Sequence, residues 1–155
     1  MENRLYLDLE WGRVVIETLP EIAPKHVERI TTLANQGFYD GIVFHRVIEG
    51  FMAQTGDPTG TGTGGSDLPD LPAEFSREAH DRGAVSMART SDPDSANSQF
   101  FIVFDDATFL DGQYSVWGRV VEGMEHVDRI KKGAPRSGMV QNPDRIVKMR
   151  AADAE

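Results

Sequence analysis

A chain of 155 residues with 39% hydrophobic and 26% charged side chains has the size and make-up of one soluble domain. It is long enough to bury roughly two thirds of the surface its unfolded form exposes, and far from the composition of a disordered chain. Its formal charge of −9 and pI of about 4.9 repel a phosphate backbone, so nucleic acid is not an expected partner, and the absence of cysteine excludes disulfides, thiolate nucleophiles and thiolate-held metals.

The first nine residues, M-E-N-R-L-Y-L-D-L, alternate as a strand and lack the basic start and apolar run of a signal peptide. No later stretch has the length and apolarity of a membrane span, so a cytoplasmic protein with no membrane partner is expected. Leu5, Leu7 and Leu9, then Val14, Val15 and Ile16 beyond Trp11-Gly12, predict an opening β-hairpin. Pro24 stands where a first helical turn tolerates proline. Val27, Ile30, Ala34 and Phe38 follow at helical spacing, and Gly37 is the expected stop.

Residues 42–48 and 51–54 read as two strands about a turn at Glu49-Gly50. The stretch 56–70, with five of the fifteen glycines and prolines at 58 and 69, predicts a long irregular loop. Further strands are expected over 83–88, 98–104, 114–121 and 145–150, and a short helix around Met124, Val127, Asp128 and Ile130. Many short strands with two helices predict a mainly β domain spanning 1–155, an antiparallel barrel or sandwich whose interior is filled by side chains.

Residues 60–65, G-T-G-T-G-G, satisfy a G-x-G-x-x-G pattern, but the prolines and acids that follow cannot open the helix a phosphate site needs. His26, His45, His80 and His126 fall in no ligand spacing, so no metal and no cofactor is expected. His26 and His126 are read as surface residues, His80 as a loop residue and His45 as a packed, hydrogen-bonded core residue. No G-x-S-x-G marks an activated serine, and the adjacent Asp105 and Asp106 read as turn residues.

Two segments concentrate apolar residues with single polar ones, at 44–54 and 98–102. Phe100 and Phe101, consecutive in a strand, must face opposite sides of the sheet. One fills the core, and the other needs a covering loop or an outer groove. Arg46 interrupts an apolar strand; from that strand alone it reads as a solvated outward residue.

At these residues the chain resembles the cyclophilin family of peptidyl-prolyl isomerases, through F-H-R-V-I-E-G-F-M-A-Q-T-G-D at 44–57 and S-Q-F-F-I at 98–102. The likeness continues at Gly64-Gly65, 86–88, 109–112 and 116–120. The resemblance implies a closed, eight-stranded antiparallel barrel with two capping α-helices and an outer peptide groove. It implies cis/trans isomerisation of X-Pro bonds in protein substrates, with Arg46 and Gln54 in catalysis, and a role in protein folding. Phe51, Met52, Ala88, Arg89, Phe101, Phe109, Leu110 and Tyr114 would form the substrate site. Phe109, Tyr114 and Arg89 replace the Trp, His and Asn of the best-known eukaryotic members and are more like bacterial relatives. Only weak cyclosporin binding is therefore expected, because an indole donor is missing. The implied partners are proline-containing polypeptides met by a monomer; a non-catalytic module that binds proline-containing loops is the alternative.

Overall fold

The computed structural model describes residues 3–154; Met1, Glu2 and Glu155 of the expected 1–155 domain lie outside the described residues. In chain order it contains β1 (Arg4–Leu9), β2 (Gly12–Thr18), α1 (Pro24–Asn35), β3 (Arg46–Ile48), β4 (Met52–Thr55), β5 (Ala84–Met87) and β6 (Phe100–Val103). A 3-10 turn (Thr108–Leu110), β7 (Val116–Glu122), α2 (Met124–Val127), β8 (Lys148–Ala151) and a second 3-10 turn (Ala152–Ala154) follow. All strand pairs are antiparallel, in one sheet of order β3-β4-β6-β5-β7-β2-β1-β8.

The expected closed barrel is not formed: the sheet is an open half-barrel ending at β3 and β8. Between these edges runs an irregular segment held by single bridges, Arg46 to Met139 and Val43 to Arg145. Pro135 and Pro143 cannot donate to a ladder, and Gly138 and Asn142 have positive φ (75° and 52°), so no regular strand forms there. For the same reason the strands read over 42–48 and 145–150 contract to 46–48 and 148–151.

The concave side is packed solid. Tyr39, Phe44, Phe100, Ile102 and Trp117 are fully buried, with Tyr39–Phe100 and Phe100–Trp117 meeting edge to face at 5.5 Å. α1 adds Ile30, Leu33 and Ala34 to this core. It lacks a capping side chain of its own. Glu74 supplies one from a distant loop, accepting the backbone N–H of His26 at 2.9 Å and of Lys25 at 3.2 Å, which places a carboxylate at the positive end of the helix. α2 is a single turn opened by Gly123 (φ 86°), shorter than the expected helix.

His26, expected at the surface, is fully buried with Nδ1 against Glu74, and neither ring nitrogen of His45 has a protein partner among the described residues. His126 is half-buried. Burial holds His26, His45 and His80 below the ordinary 6.5; neighbouring Glu74, Asp57 and Asp111 respectively oppose this without cancelling it. As pH falls through 6.5 the unfolded chain takes up protons that the folded chain refuses. Stability present above that pH is therefore lost on acidification, by at most ~1.4 kcal/mol per pH unit for each histidine. Thermal melts from about pH 7.5 to about pH 5 are expected to show a falling Tm, and a flat profile would contradict neutral burial.

Candidate active site

The convex side of β3, β4 and β6 is apolar as well. Register places Arg46 opposite Gln54, Ile48 opposite Met52, and Gln54 in turn opposite Phe101. Side chains of directly paired residues share a face, so Arg46, Gln54 and Phe101 stand in a row across three strands. Phe101 is turned away from the core that holds its neighbour Phe100. It joins Met52, Ala84, Val103, Ala107 and Leu110 in a second buried cluster. The loop with the Thr108–Leu110 turn covers part of this cluster, and the uncovered part is a groove of about 140 Å³.

Nine of the ten residues expected in the site line that groove: Arg46, Phe51, Met52, Gln54, Ala88, Arg89, Phe101, Leu110 and Tyr114. Phe109 does not. It is 67% exposed and stands on the rim, its ring 5.6 Å from that of Phe51. Arg89 lies across Tyr114 at 4.6 Å and donates to the carbonyls of Gln113 and Thr90, which fixes the far end of the groove. A wider cavity of about 450 Å³, lined by polar side chains such as Thr63, Ser66, Asn97 and Gln99, adjoins the first and shares Gln54, Ala88 and Arg89 with it, so that the two form one continuous depression.

Arg46 is not the freely solvated side chain its strand suggests. Its Nε donates to the Ser137 carbonyl at 3.1 Å and Nη1 to Gln54 Oε1 at 3.2 Å, while Nη2 has no protein acceptor among the described residues. Gln54 Nε2 donates to Gln99 Oε1 at 2.9 Å, and Gln99 Nε2 to the carbonyls of Gly62 (3.1 Å) and Gly64 (2.9 Å). A relay of amides thus runs from the glycine-rich loop to the guanidinium, leaving one face of that cation for an external acceptor.

Gln99 and the Ser137 carbonyl were not among the expected site groups. Gln99 is two residues from Phe101, so strand parity places it on the same face; no local signal marks Ser137, which lies 91 residues from Arg46. The glycine loop itself closes around Asp57, 1% exposed, which accepts from the N–H groups of Thr59 (2.8 Å), Thr61 (3.1 Å) and Gly62 (2.6 Å). Burial pushes the Asp57 pKa up, and hydrogen bonds from Thr59, Gly64 and Gly62 more than reverse it, to about 2. Backbone donors that could cradle a phosphate are thus committed to an internal carboxylate.

An arginine held by Ser137 and Gln54 beside a cleft floored by Phe101, Met52 and Leu110, next to an open channel, is an arrangement suited to twisting a bond. Fold and matches with known proteins together give the class, a peptidyl-prolyl cis-trans isomerase. The chain belongs to the cyclophilin-type peptidyl-prolyl cis-trans isomerases, whose family model (cyclophilin type peptidyl-prolyl cis-trans isomerase/CLD) matches residues 5–151. It is 55% identical over 159 residues to a probable peptidyl-prolyl cis-trans isomerase of Brucella abortus, covering 95% of this chain and 81% of the relative. Peptidyl-prolyl cis-trans isomerase B of Bacillus subtilis is 40% identical over 134 residues, covering 86% and 93%. Among solved structures, a cyclophilin from Hirschia baltica superposes with TM-score 0.88 at 31% identity, over 98% of this chain and 74% of that one. A Cryptosporidium parvum cyclophilin-type isomerase, crystallised in the presence of the dipeptide Ala-Pro, gives 0.87 at 28% identity, over 96% and 98%.

Proposed function

We propose that the groove between Phe101, Met52 and Leu110 receives the proline ring, and that Arg46 stabilises the twisted imide. The observation that carries this is the guanidinium pinned by Ser137 and Gln54 at the mouth of that groove. Rotation about the imide is opposed by roughly 20 kcal/mol, because the nitrogen lone pair is delocalised into the carbonyl. As the bond twists, the nitrogen becomes pyramidal and regains its lone pair, which an N–H of Arg46 can meet. No such acceptor exists in the planar ground state, so the bond favours the transition state alone. Arginine suits the role because it stays charged and its fork is rigid. Gln54 holds that fork and, through its relay to Gln99, keeps its amide oxygen turned toward Arg46.

Clients in this proposal are proline-containing polypeptides that are still folding. The enzyme acts on them as a cytoplasmic monomer. Following cis/trans exchange of a short Ala-Pro peptide by NMR tests the site. Exchange should accelerate in proportion to enzyme, and a chain that binds the peptide without accelerating exchange would reverse the assignment of Arg46.

Cyclosporin affinity is proposed to be weak, since Phe109 offers no donor at the rim. Phe109→Trp restores an indole N–H at an exposed position, where the larger ring meets little resistance. Inhibition of peptide exchange by cyclosporin is expected to strengthen about tenfold, the scale of one hydrogen bond. No gain would show that the drug is excluded by shape.

A further inference from the structure

Behind the floor of the groove one buried residue holds several of its walls. His80, fully buried in the coil before β5, is bonded through its main chain to both ends of the 3-10 turn that carries Phe109 and Leu110. Its carbonyl accepts the N–H of Ala107 at 2.7 Å, and its own N–H donates to Asp111 Oδ1 at 2.7 Å; these residues immediately precede and follow the turn. The imidazole extends the clamp. Nδ1 lies 3.0 Å from the same Asp111 oxygen, and Nε2 lies 3.0 Å from Ser86 Oγ on β5. The ring is stacked on Phe101 at 6.2 Å, and Tyr114 meets it edge-on at 6.3 Å.

Chemistry sets the proton positions. A carboxylate only accepts, so Nδ1 carries the hydrogen and the Nε2 lone pair takes the Ser86 hydroxyl. Serine, histidine and aspartate therefore line up as in a hydrolytic triad. Ser86 is fully buried, however, and pairs directly with Phe101 across the ladder, so no substrate carbonyl reaches its oxygen. What the three can do is hold geometry. The turn is three residues long, and the bonds from His80 tie both of its ends to the coil before β5, while the bond to Ser86 holds the ring against Phe101.

We propose that His80 is the positioning residue of the proline pocket. Through Asp111 and Ser86 it fixes the distance between Leu110 and Phe101, and with it the size of ring the enzyme accepts. This rests on the groove being the proline site.

The test compares kcat/KM on an X-Pro peptide with that on the same peptide carrying pipecolic acid, the next larger ring, in place of proline. A ratio taken on one sample cancels any loss of folded enzyme, so destabilisation alone cannot move it. Wild type is expected to prefer proline. His80→Phe, which keeps a ring but removes both side-chain bonds, and Asp111→Ala should lower that preference about tenfold, equivalent to ~1.4 kcal/mol, chiefly through KM for proline. Asp111→Asn keeps an acceptor oxygen and should keep the preference. Should His80→Phe fail to fold, Asp111→Ala decides, since that side chain is partly exposed. An unchanged ratio in the variants overturns this inference alone; a wild type indifferent to ring size overturns the pocket assignment and this inference with it.

Discussion

Arg46→Ala is expected to lower kcat/KM on an X-Pro peptide by about a hundredfold or more, the loss typical of removing one donor aimed at a transition state. Peptide Kd should change far less. In the proposed binding mode the contacts that hold the planar substrate belong to Phe101, Met52, Leu110 and the adjoining channel, whereas the acceptor that Arg46 meets exists only in the twisted imide. Arg46→Lys should recover little, because an ammonium cannot bond Ser137 and Gln54 and still present a donor from a fixed plane. Exchange spectroscopy gives the rate and a peptide titration gives the affinity. If both fell by the same factor, the arginine would be a ground-state ligand and the mechanism would need another source of stabilisation.

What was legible in the chain is what depends on neighbours in sequence. Strand parity separates Phe100 from Phe101, and proline at the first turn with periodic Ile30 and Ala34 marks α1. What was not legible depends on residues brought from afar. His26 lies on a helix with polar neighbours and reads as exposed; it is buried because Glu74, 48 residues on, folds over that end of the helix. Arg46 reads as solvated because nothing in its strand reveals the Ser137 carbonyl. Barrel closure failed for a related reason: the segments at 42–48 and 145–150 have strand composition, but the turn at Gly138 and the prolines at 135 and 143 set what runs between them. Family resemblance carried the choice of groove residues; that Phe109 stands on the rim while the other nine line the groove is visible only in the fold, because a rim and a wall look alike in sequence.

The adjacent phenylalanines allow the two faces of the sheet to be separated by experiment. Phe100→Ala opens a cavity among Tyr39, Trp117 and Ile102, where no solvent reaches, and should cost about 3–5 kcal/mol of stability. The folded fraction that remains should isomerise proline peptides almost normally, since the groove is lined from the opposite face. Phe101→Ala removes the floor of the groove instead. Its vacated space joins an existing opening that water and side chains can fill, so its stability cost should fall below the Phe100 value. In the proposed mode the Phe101 ring pins the substrate while its imide twists, so activity should collapse with its loss, positioning alone being worth about 10²-fold. Urea melts and exchange rates on both variants give the comparison. A Phe101→Ala enzyme with intact activity would show that the proline ring is held elsewhere, and the guanidinium of Arg46 would then be aimed at the wrong bond.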